Sequence, residues 1–451
     1  MAGVPDEVRT GLVAIIGEAQ LSTEPSVCEA SAIDGRVPGC VAYPGSPEQV
    51  AQTLKFAADI GHAVVAFGSA TKLGIGNPPQ HYDIALCTRN ITNVRYYEPS
   101  DLTAGVGAGI KLWDLQNRFK PDGLWLPMDP AGSRQSTIGG IVAANASGPL
   151  RHFYGTPRDM VVGMQVATTE GKLIRTGGRV VKNVAGYDLG KLLIGSYGTL
   201  GVITEVNLKL FPLPAERKTF VLSAGTLGVA RDLRRSIMVS PVEPLRMVLL
   251  DGEAAGVISQ SVQLESMSNA PQIWLEAGGS KSVVDRVWQE LSALGQAVGA
   301  RVHIFDKEDT AAAWQAIADF ASWIGQMYPG SVVLKGTMPI ANSEKFLSLV
   351  QQEAQNEKVR MASVAQPGVG IIHLAMLDLR NSSQAAGLVS RIRNAAEKSD
   401  GALVVTSAPA DVKAHVDAWG MAGTGFELVR KLKAAWDPKG ILAPGRFVGA
   451  V

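Results

Sequence analysis

Residues 128–212 constrain the fold most, because much of this stretch consists of residues with small side chains. Its centre, residues 129–148, reads DPAGSRQSTIGGIVAANASG. Small side chains let the backbone approach a ligand closely, and free backbone N–H groups in such segments suit phosphates. The stretch closes with a glycine turn, GSYGTLGVITE at 195–205, that runs into a strand. Two such segments favour a large, flat, phosphate-bearing ligand held by main chain, although tight packing without a ligand gives the same pattern.

The composition is that of an ordinary globular protein with ample core. Of 451 residues, 46% are hydrophobic and 18% are charged, and this length suggests two to four domains. The net charge of +1 argues against binding to nucleic acid or to an anionic membrane. Cys28, Cys40 and Cys87 include no C-x-x-C pair, which argues against a disulfide framework or a cysteine-ligated iron–sulfur cluster. With no signal peptide or membrane span in the sequence, we expect a cytoplasmic protein without its own membrane anchor.

A helix, a strand and a glycine loop follow one another near the start of the chain. Ser46 and Pro47 begin the helix as N-cap and first helical residue, and Gln49 is expected to complete a capping box. A short apolar strand at 64–67 then leads into the loop GSATKLGIG at 68–76. Such a loop can present consecutive N–H groups to a diphosphate, with help from hydroxyl groups. A plain β–α turn remains the simpler interpretation of this loop alone.

The pattern changes after a proline pair at Pro212 and Pro214. Before it, alternating residues at 202–210 predict a half-buried strand. After it, strand-like and helical segments alternate, which predicts an α+β domain with helices on one face of a mainly antiparallel sheet. The predicted strands lie at 272–277, 301–305, 332–334, 371–377 and 403–406, and the predicted helices at 281–298, 307–325, 342–356, 382–398 and 426–436.

Four motifs in this order resemble the vanillyl-alcohol-oxidase-type flavoproteins, which carry a PCMH-type FAD-binding domain. They are the loop at 68–72, TIGG at 137–140, GTLGVIT at 198–204, and DPKGILAPG at 437–445. The resemblance covers residues 41–212 with a supporting tail at 437–447. Within the family, KNVAGYDL at 182–189 and GSYG at 195–198 look most like the FAD-binding E-type subunits of glycolate oxidase. Such subunits work beside a second FAD subunit and an iron–sulfur subunit.

The resemblance implies an α+β fold with a two-part PCMH-type FAD-binding domain and a separate α+β cap domain. On this basis we divide the chain into four parts. They are a lead-in at 1–40, the FAD-binding domain at 41–214, the cap or substrate domain at 215–400, and a C-terminal segment at 401–451 that returns to the FAD-binding domain.

The resemblance also implies where FAD binds, mainly through backbone contacts. The first loop would hold the pyrophosphate, the second segment would line the dinucleotide and isoalloxazine groove, and the glycine turn would close over the flavin and adenine portions. The residues concerned are Gly68, Ser69, Ala70, Thr71 and Lys72 in the first loop, Ser136, Thr137, Gly140, Asn145 and Ser147 in the second segment, and Gly198, Thr199, Val202 and Ile203 in the turn.

Two departures from the family pattern carry predictions. Many relatives attach the flavin through a histidine in the first loop, but residues 68–72 contain none, so we expect noncovalent FAD. Related 2-hydroxyacid dehydrogenases bind a divalent metal through a Gly-Asp-Gly-Asn-x-His stretch. Here GVGIIH at 368–373 keeps only His373. We therefore expect no metal site and interpret His373 as a core histidine with its hydrogen bonds satisfied.

These features favour an FAD-linked oxidoreductase acting on the CH–OH group of a small 2-hydroxy acid, glycolate or D-lactate. Candidates for holding the carboxylate are Arg151, Lys182 and Arg446, and candidates for proton transfer are His152 and Tyr154. Surface solvation or helix capping is the simpler explanation for each of these residues, so no catalytic residue is assigned. Two alternatives stay open: a flavin-carrying electron-transfer or assembly subunit without its own substrate chemistry, and a stand-alone oxidase that uses oxygen. If the chain is a subunit of an oxidoreductase complex or an electron-transfer subunit, any membrane association would come through partner subunits.

Overall fold

The fold consists of two lobes, each built around its own sheet, followed by a large cap sheet. It comes from a computed structural model that describes residues 4–178, 188–262, 269–305 and 307–451. Within these residues the predicted α+β class is confirmed, with sheets on both sides of Pro214. The proposed domain boundaries themselves stay a prediction.

The first lobe is a four-stranded sheet in the order β1-β2-β4-β3, in which β2, β4 and β3 run parallel. Ser46 caps α3 by accepting a hydrogen bond from the Gln49 backbone N–H. The predicted capping box is wrong in one hydrogen bond. The Gln49 side chain accepts from the N–H of Gly45, at 2.7 Å, and not from that of the N-cap residue Ser46. The elements are α1 (Asp6–Ile16), β1 (Leu21–Ser22), α2 (Pro25–Ala30), β2 (Cys40–Ala42), α3 (Pro47–Ile60), β3 (Val64–Phe67) and β4 (Ile84–Cys87).

The second lobe is a five-stranded antiparallel sheet in the order β5-β6-β10-β8-β9, with β7 and β11 forming a small separate pair. The strand β10 is central and nearly all of its residues are buried, so the prediction of a half-buried strand is wrong. A single strand pattern cannot show that a second layer covers the outer face. The strands are β5 (Val94–Glu98), β6 (Thr103–Gly107), β7 (Leu124–Trp125), β8 (Val161–Ala167), β9 (Leu173–Gly177), β10 (Val202–Lys209) and β11 (Phe211–Pro212). The helices are α4 (Leu112–Phe119), α5 (Ile138–Ala143), α6 (Arg151–Tyr154), α7 (Pro157–Met160) and α8 (Leu189–Leu193).

The cap is an eight-stranded, fully antiparallel sheet in the order β15-β12-β14-β13-β17-β18-β16-β19. Its strands are β12 (Glu216–Ser223), β13 (Arg246–Leu250), β14 (Gln272–Gly279), β15 (Arg301–Phe305), β16 (Val332–Thr337), β17 (Arg360–Gln366), β18 (Ile371–Leu377) and β19 (Ala402–Ser407). Its helices are α9 (Leu227–Val239), α10 (Gly252–Val262), α11 (Lys281–Ala297), α12 (Lys307–Ala318), α13 (Phe320–Met327), α14 (Ser343–Glu357) and α15 (Ser382–Glu397).

Helices cover both faces of the cap sheet, so the prediction of helices on one face is wrong. One core packs α9, α11, α14 and α15 against alternate residues of the strands. A second core packs α10, α12 and α13 against the other face, around the buried indole of Trp314. The predicted single helix at 307–325 is interrupted at Asp319, where α12 ends and α13 begins. Because the strands are apolar on both sides, alternation could not reveal this second layer.

The C-terminal tail returns to the first lobe through α16 (Ala410–Lys413) and α17 (Phe426–Trp436). Leu442 forms a parallel bridge with Val64, and both lie in the first lobe's core. Lys433 and Asp437 form a buried ion pair at 2.8 Å, and Lys433 also donates to the carbonyl of Thr199 at 2.9 Å. Removing one partner of such a buried pair typically costs about 3–5 kcal/mol. Lys433, held in place by Asp437, therefore links the tail to the turn that precedes β10 through its bond to Thr199.

Candidate functional site

A groove runs between the two lobes of the FAD-domain architecture, where β3 ends and α5 begins. The loop after β3, the first turn of α5 and the start of β10 form its walls, and Arg446 reaches it from the tail. Of the residues expected to bind a dinucleotide, the groove is lined by Gly68, Ser69, Ala70, Thr71, Lys72, Thr137, Gly140, Gly198, Val202 and Ile203. The structure thus brings together three segments that lie far apart in the sequence.

The glycines of this region serve two different purposes. Gly68 packs directly on Thr137, and a Cβ at Gly68 would lie 2.0 Å from the Thr137 hydroxyl oxygen. Gly140 is different, since a Cβ there would meet only that same hydroxyl, at 3.2 Å, and would otherwise point into the groove. Tight packing therefore explains Gly68, whereas Gly140 keeps space open for a ligand. Both alternatives left open by the sequence apply, each to a different glycine.

Lys72 places an uncompensated cation at the groove. Its ammonium donates to the Ser136 hydroxyl at 2.8 Å and to the Ala131 carbonyl at 3.2 Å, and no ion pair of Lys72 is found among the described residues. Burial lowers the pKa of Lys72 to about 8, while the negative charge of Asp319 opposes that shift. A buried ammonium without a carboxylate partner is stabilised by a bound anion. This position suits a phosphate group.

Four predicted residues lie beside the groove rather than along it. Ser136 supports Lys72 and Thr71 through its hydroxyl, and Asn145 and Ser147 line a neighbouring cavity. The Thr199 hydroxyl donates to the carbonyl of Ser196 at 2.7 Å, which fixes the turn itself. The role of all these residues in cofactor binding stays a prediction.

Tyr197 connects the groove to that cavity, because it lines both. Its backbone φ is 53°, a conformation that costs a non-glycine residue about 1–3 kcal/mol and is common at functional sites. The ring packs edge-on against Trp419 at 4.9 Å and lies 5.8 Å from the ring of Phe447, centroid to centroid. Burial raises the pKa of Tyr197 to about 12, so its phenol stays protonated at neutral pH.

The cavity has a volume of about 440 Å³ and lies between the FAD-binding domain and the cap sheet. Lys335 on β16 and His373 on β18 are directly opposite each other in the antiparallel ladder, so both side chains face the cavity. Gln366 on β17 lines the same wall, and its side-chain oxygen is buried without a hydrogen-bond partner in the structure. Neither Lys335 nor His373 has a hydrogen bond or ion pair with any described residue.

The electrostatics of this wall are those of an anion site. Burial and the nearby charge of Arg151 lower the pKa of Lys335 to about 8. Burial, Lys335 and Arg151 together lower the pKa of His373 to about 3, so its imidazole is neutral at physiological pH. The Arg151 guanidinium donates to the Ser147 hydroxyl at 3.3 Å, and no carboxylate pairs with it among the described residues. Lys335 and Lys72 line the cavity without an ion pair among the described residues, and Arg151 is close enough to act on Lys335 and His373. This positive charge favours an anionic ligand.

The interpretation of His373 as a satisfied core histidine is therefore wrong. It is partly buried, but its ring faces the cavity and lacks a described partner. Lys335 and Gln366 were missed by the sequence analysis. The signal for Lys335 was present, since it is a lone charged residue in the apolar strand VVLKGT. Its functional meaning requires the neighbouring strand, which the sequence does not place.

The five candidate polar residues separate clearly, although Lys182 lies outside the described residues. Arg151 contributes its charge to the cavity, as above. His152 lies against Gly368 of the cap, and its buried Nδ1 has no hydrogen-bond partner in the structure. Tyr154 packs between Trp125 and Phe211, with centroid distances of 5.4 and 5.2 Å, which is a structural role.

Arg446 holds a loop rather than facing the cavity. Its guanidinium donates to the carbonyls of Leu73 and Ile75, at 2.6 and 2.7 Å, and so shapes the segment after the first glycine loop. Burial lowers the pKa of Arg446, whereas nearby Asp34 opposes that change. With its donors used by backbone carbonyls, Arg446 fits its place in the groove wall better than a carboxylate-binding role.

Cys87 lies closer to the groove than its sequence position suggests. Its thiol donates to the carbonyl of Gly68 at 3.2 Å, and burial raises its pKa. A protonated, buried thiol is a poor nucleophile. In the part of the chain that the structure describes, no cluster of histidine, cysteine or carboxylate side chains could hold a metal ion, and no helix is long and apolar enough to span a membrane.

Comparison with known proteins identifies the family. Residues 38–177 match the FAD binding domain family, and residues 213–447 match the C-terminal domain of FAD linked oxidases, more than half of the chain. The chain is 27% identical to glycolate oxidase subunit GlcD of Bacillus subtilis, over 91% of this chain and 89% of GlcD. It is 33% identical to glycolate oxidase subunit GlcE of Escherichia coli, over 51% of this chain and 63% of GlcE.

The fold is shared with a solved structure. The structure of p-cresol methylhydroxylase with bound substrate superposes with a TM-score of 0.76, at 15% identity, covering 98% of this chain and 97% of that one. The PCMH-type FAD-binding architecture predicted from the motifs is confirmed. The groove with its open Gly140 and unpaired Lys72 fits an FAD dinucleotide, and the chain belongs to the FAD-linked oxidase family of oxidoreductases.

Proposed function

We propose that this chain oxidises a 2-hydroxy acid of the glycolate or D-lactate type, as a subunit of an oxidase or dehydrogenase complex. The observation that carries the proposal is the wall with Lys335 and His373, to which Arg151 adds a nearby positive charge. It places unpaired positive charge in a cavity that adjoins the FAD groove. A carboxylate bound there would compensate that charge.

FAD would be held mainly by backbone along the groove. The loop at 68–72 would contact the pyrophosphate, with Lys72 adding a nearby cation, and residues 137–147 and 198–203 would contact the remaining parts of the dinucleotide. When bound, FAD supplies an acceptor for the hydride that leaves the alcohol carbon. The loop has no histidine and the Cys87 thiol is protonated, so we propose noncovalent attachment.

Lys335 would bind the substrate carboxylate directly, and Arg151, which donates to the Ser147 hydroxyl on the cavity wall, would add its charge nearby. Arg151 comes from α6 of the FAD-binding domain and Lys335 from β16 of the cap, so both domains must be assembled before this charge is in place. A charge-assisted contact of the kind made by Lys335 contributes about 1.5–3 kcal/mol. Holding the carboxylate at Lys335 also limits the position of the alcohol carbon relative to the groove.

His373 would take the proton from the substrate hydroxyl at a ring nitrogen. It is neutral before substrate binds, because burial, Lys335 and Arg151 hold its pKa near 3. A substrate carboxylate bound at Lys335 would offset the repulsion of the imidazolium by Lys335 and Arg151 and raise that pKa. Substrate binding would thus make His373 a stronger base when the proton must be removed.

The proposal is tested by anaerobic reduction of the flavin. Purified chain containing FAD, kept free of oxygen, is mixed with glycolate, D-lactate or L-lactate, and flavin absorbance is followed. We expect bleaching by at least one 2-hydroxy acid, and a loss of bleaching in Lys335→Gln with FAD content unchanged. Stable oxidised flavin with a broad panel of 2-hydroxy acids would refute the proposed substrate class.

A second candidate function is a flavin-carrying electron-transfer or assembly subunit. It is favoured by the departure of GVGIIH at 368–373 from the family's metal-binding stretch. In that case the isolated chain would not bleach with any 2-hydroxy acid, but its flavin would be reduced when the partner subunits and substrate are present. Formation of hydrogen peroxide by the isolated chain would instead indicate a stand-alone oxidase.

We also propose partners, a second FAD subunit and an iron–sulfur subunit. The support is that the relatives GlcD and GlcE are both named as subunits of glycolate oxidase. Attachment to a membrane, where it occurs, would pass through these partners from the cytoplasmic side. A tagged chain expressed in its own cell is expected to co-purify with both proteins, and electrons should reach dyes or quinones rather than nicotinamide. Recovery of an active monomer that reduces NAD would contradict this proposal.

A further inference from the structure

The cavity next to the groove is larger than the smallest 2-hydroxy acids require. Its volume of about 440 Å³ lies in the range of about 300–1,000 Å³ that is typical of sites for drug-sized ligands. Where it meets the groove, Ala144 and Tyr197 form part of its lining, and some of the volume there belongs to the cofactor. The rest extends away from the groove, along the cap.

An apolar wall bounds that extension. The junction of α12 and α13 supplies Ile317 and Phe320, both almost fully buried, and Ala318 and Ala321, which present only methyl groups. The two alanines leave room where larger side chains would fill the cavity. The wall therefore offers an apolar surface, whereas Lys335 and His373 supply the polar end of the same cavity.

The wall is fastened to the FAD-binding domain. Asp319, between the two helices, accepts a hydrogen bond from the Gly132 backbone N–H at 2.6 Å. Gln315, one turn earlier, accepts from the Ser133 hydroxyl at 2.6 Å and donates to Asp319 at 2.7 Å. These contacts hold the junction of α12 and α13 in place across the domain interface, so the wall does not move inward to fill the cavity. A small substrate would therefore leave the space beside Ala318 and Ala321 without apolar contacts.

We infer that the preferred substrate is a 2-hydroxy acid with a branched aliphatic or aromatic side chain that packs on Ile317, Ala318 and Ala321. The inference rests on the proposed function and names the substrate class of that site. Each additional methylene group in a fitted apolar pocket typically changes kcat/KM by about 10-fold or more. A side chain of four or more carbon atoms is therefore expected to give a kcat/KM at least about 100-fold above that of glycolate.

The first experiment compares substrates and products on the FAD-loaded chain. Anaerobic flavin reduction is measured with both enantiomers of lactate, 2-hydroxy-4-methylpentanoate and phenyllactate, and with glycolate. Equilibrium binding of the corresponding 2-oxo acids is measured separately from the change in flavin absorbance. We expect the bulky compounds to exceed glycolate and glyoxylate in both assays. Equal or better performance of glycolate would overturn the inference and leave the proposed function intact, whereas no reduction by any 2-hydroxy acid would overturn the proposed function.

The second experiment places larger side chains on the apolar wall and so reduces the space beside it. Ala318→Leu and Ala321→Leu should lower kcat/KM for the bulky substrates by about 10-fold or more, a larger loss than for glycolate. Ala312→Leu makes the same chemical change on the exposed face of α12 and serves as the matched control. Binding of the bulky 2-oxo acids should weaken in the two wall variants only, and FAD content should stay unchanged in all three. Equal loss for large and small ligands in a wall variant with full FAD content would contradict the inferred position of the side chain.

Discussion

The FAD groove and the neighbouring cavity are built by opposite means. The groove is formed by consecutive residues of three segments, and its key positions are small or expose backbone, as at Gly68 and Gly140. The cavity is formed by single side chains, such as Lys335, Gln366 and His373, each from a different strand of the cap. The comparison teaches that a cofactor shared by a whole family can be held by a motif, whereas a substrate is recognised by residues that only the fold assembles.

The two regions also differ in how their charges are balanced. Lys72, which lines both regions, makes three neutral hydrogen bonds and has a nearby carboxylate in Asp319. At the cavity, Lys335 and the nearby Arg151 repel each other and the imidazolium form of His373. Occupancy by an anion should therefore matter more for the cavity than for the groove, and the two regions should respond separately to mutation.

The largest expected effect is a loss of FAD binding in the groove, with the fold of the cap unchanged. Gly140→Trp places an indole where the groove must stay open, and we expect FAD binding to fall by more than about 1,000-fold, because a bulky group cannot be accommodated by rigid backbone. FAD content after purification and circular dichroism measure the two effects. Gly225→Trp is the control, since that residue is exposed and has no atom within 4 Å of a built Cβ. Full FAD occupancy in Gly140→Trp would show that the groove is misplaced.

A smaller effect is expected for substrate oxidation at the cavity, with FAD binding unchanged. Lys335→Gln removes the cation opposite His373 on the cavity wall and should lower kcat/KM for the 2-hydroxy acid by about 100-fold, the loss of one charge-assisted contact. FAD content should not change, because Lys335 lies on the cap sheet. Lys398→Gln, on the exposed surface of the cap, is the matched control. Loss of FAD in Lys335→Gln would mean that groove and cavity are not independent.

The pH dependence of ligand binding sharpens the comparison further. Lys335 has a pKa of about 8, so it is charged below that pH and loses its proton as the pH rises through it. Binding of a 2-oxo acid should therefore weaken by about 10-fold between pH 7 and pH 9.5, while bound anion shifts the transition to higher pH. Lys335→Arg should remove this transition, because arginine stays protonated. The dissociation constant is measured by titration at each pH, and an unchanged transition in Lys335→Arg would assign it to another group.

The smallest expected effect concerns how FAD is attached. Acid denaturation should release all flavin from the wild-type protein and from Cys87→Ser, since the buried thiol beside Gly68 is protonated and no histidine lies in the first loop. Absorbance of the supernatant and pellet after precipitation gives the two fractions. Flavin that remains in the wild-type pellet and disappears from it in Cys87→Ser would reveal a covalent thioether bond.

The sequence by itself determined the family, the cofactor and most local elements. The helix capped by Ser46, the strand at 64–67 and the helix at 426–436 follow from local signals, and each is found. The motifs around Gly68 and Gly140 predicted the FAD-binding architecture because a backbone groove is encoded in contiguous residues. Such signals are carried by short segments, so they can be read without the rest of the chain.

Only the tertiary structure decided which polar residues face the substrate cavity. His373 has the sequence context of a core residue, and Lys335 is one charge in an apolar strand, yet the register between β16 and β18 sets them side by side. Tyr154 and Arg446 were both candidate site residues in the sequence. In the structure Tyr154 packs among aromatic rings, and Arg446 donates its hydrogen bonds to loop carbonyls. Strand register, and the second helix layer on the cap sheet, depend on contacts between residues far apart in the chain, which local periodicity does not contain.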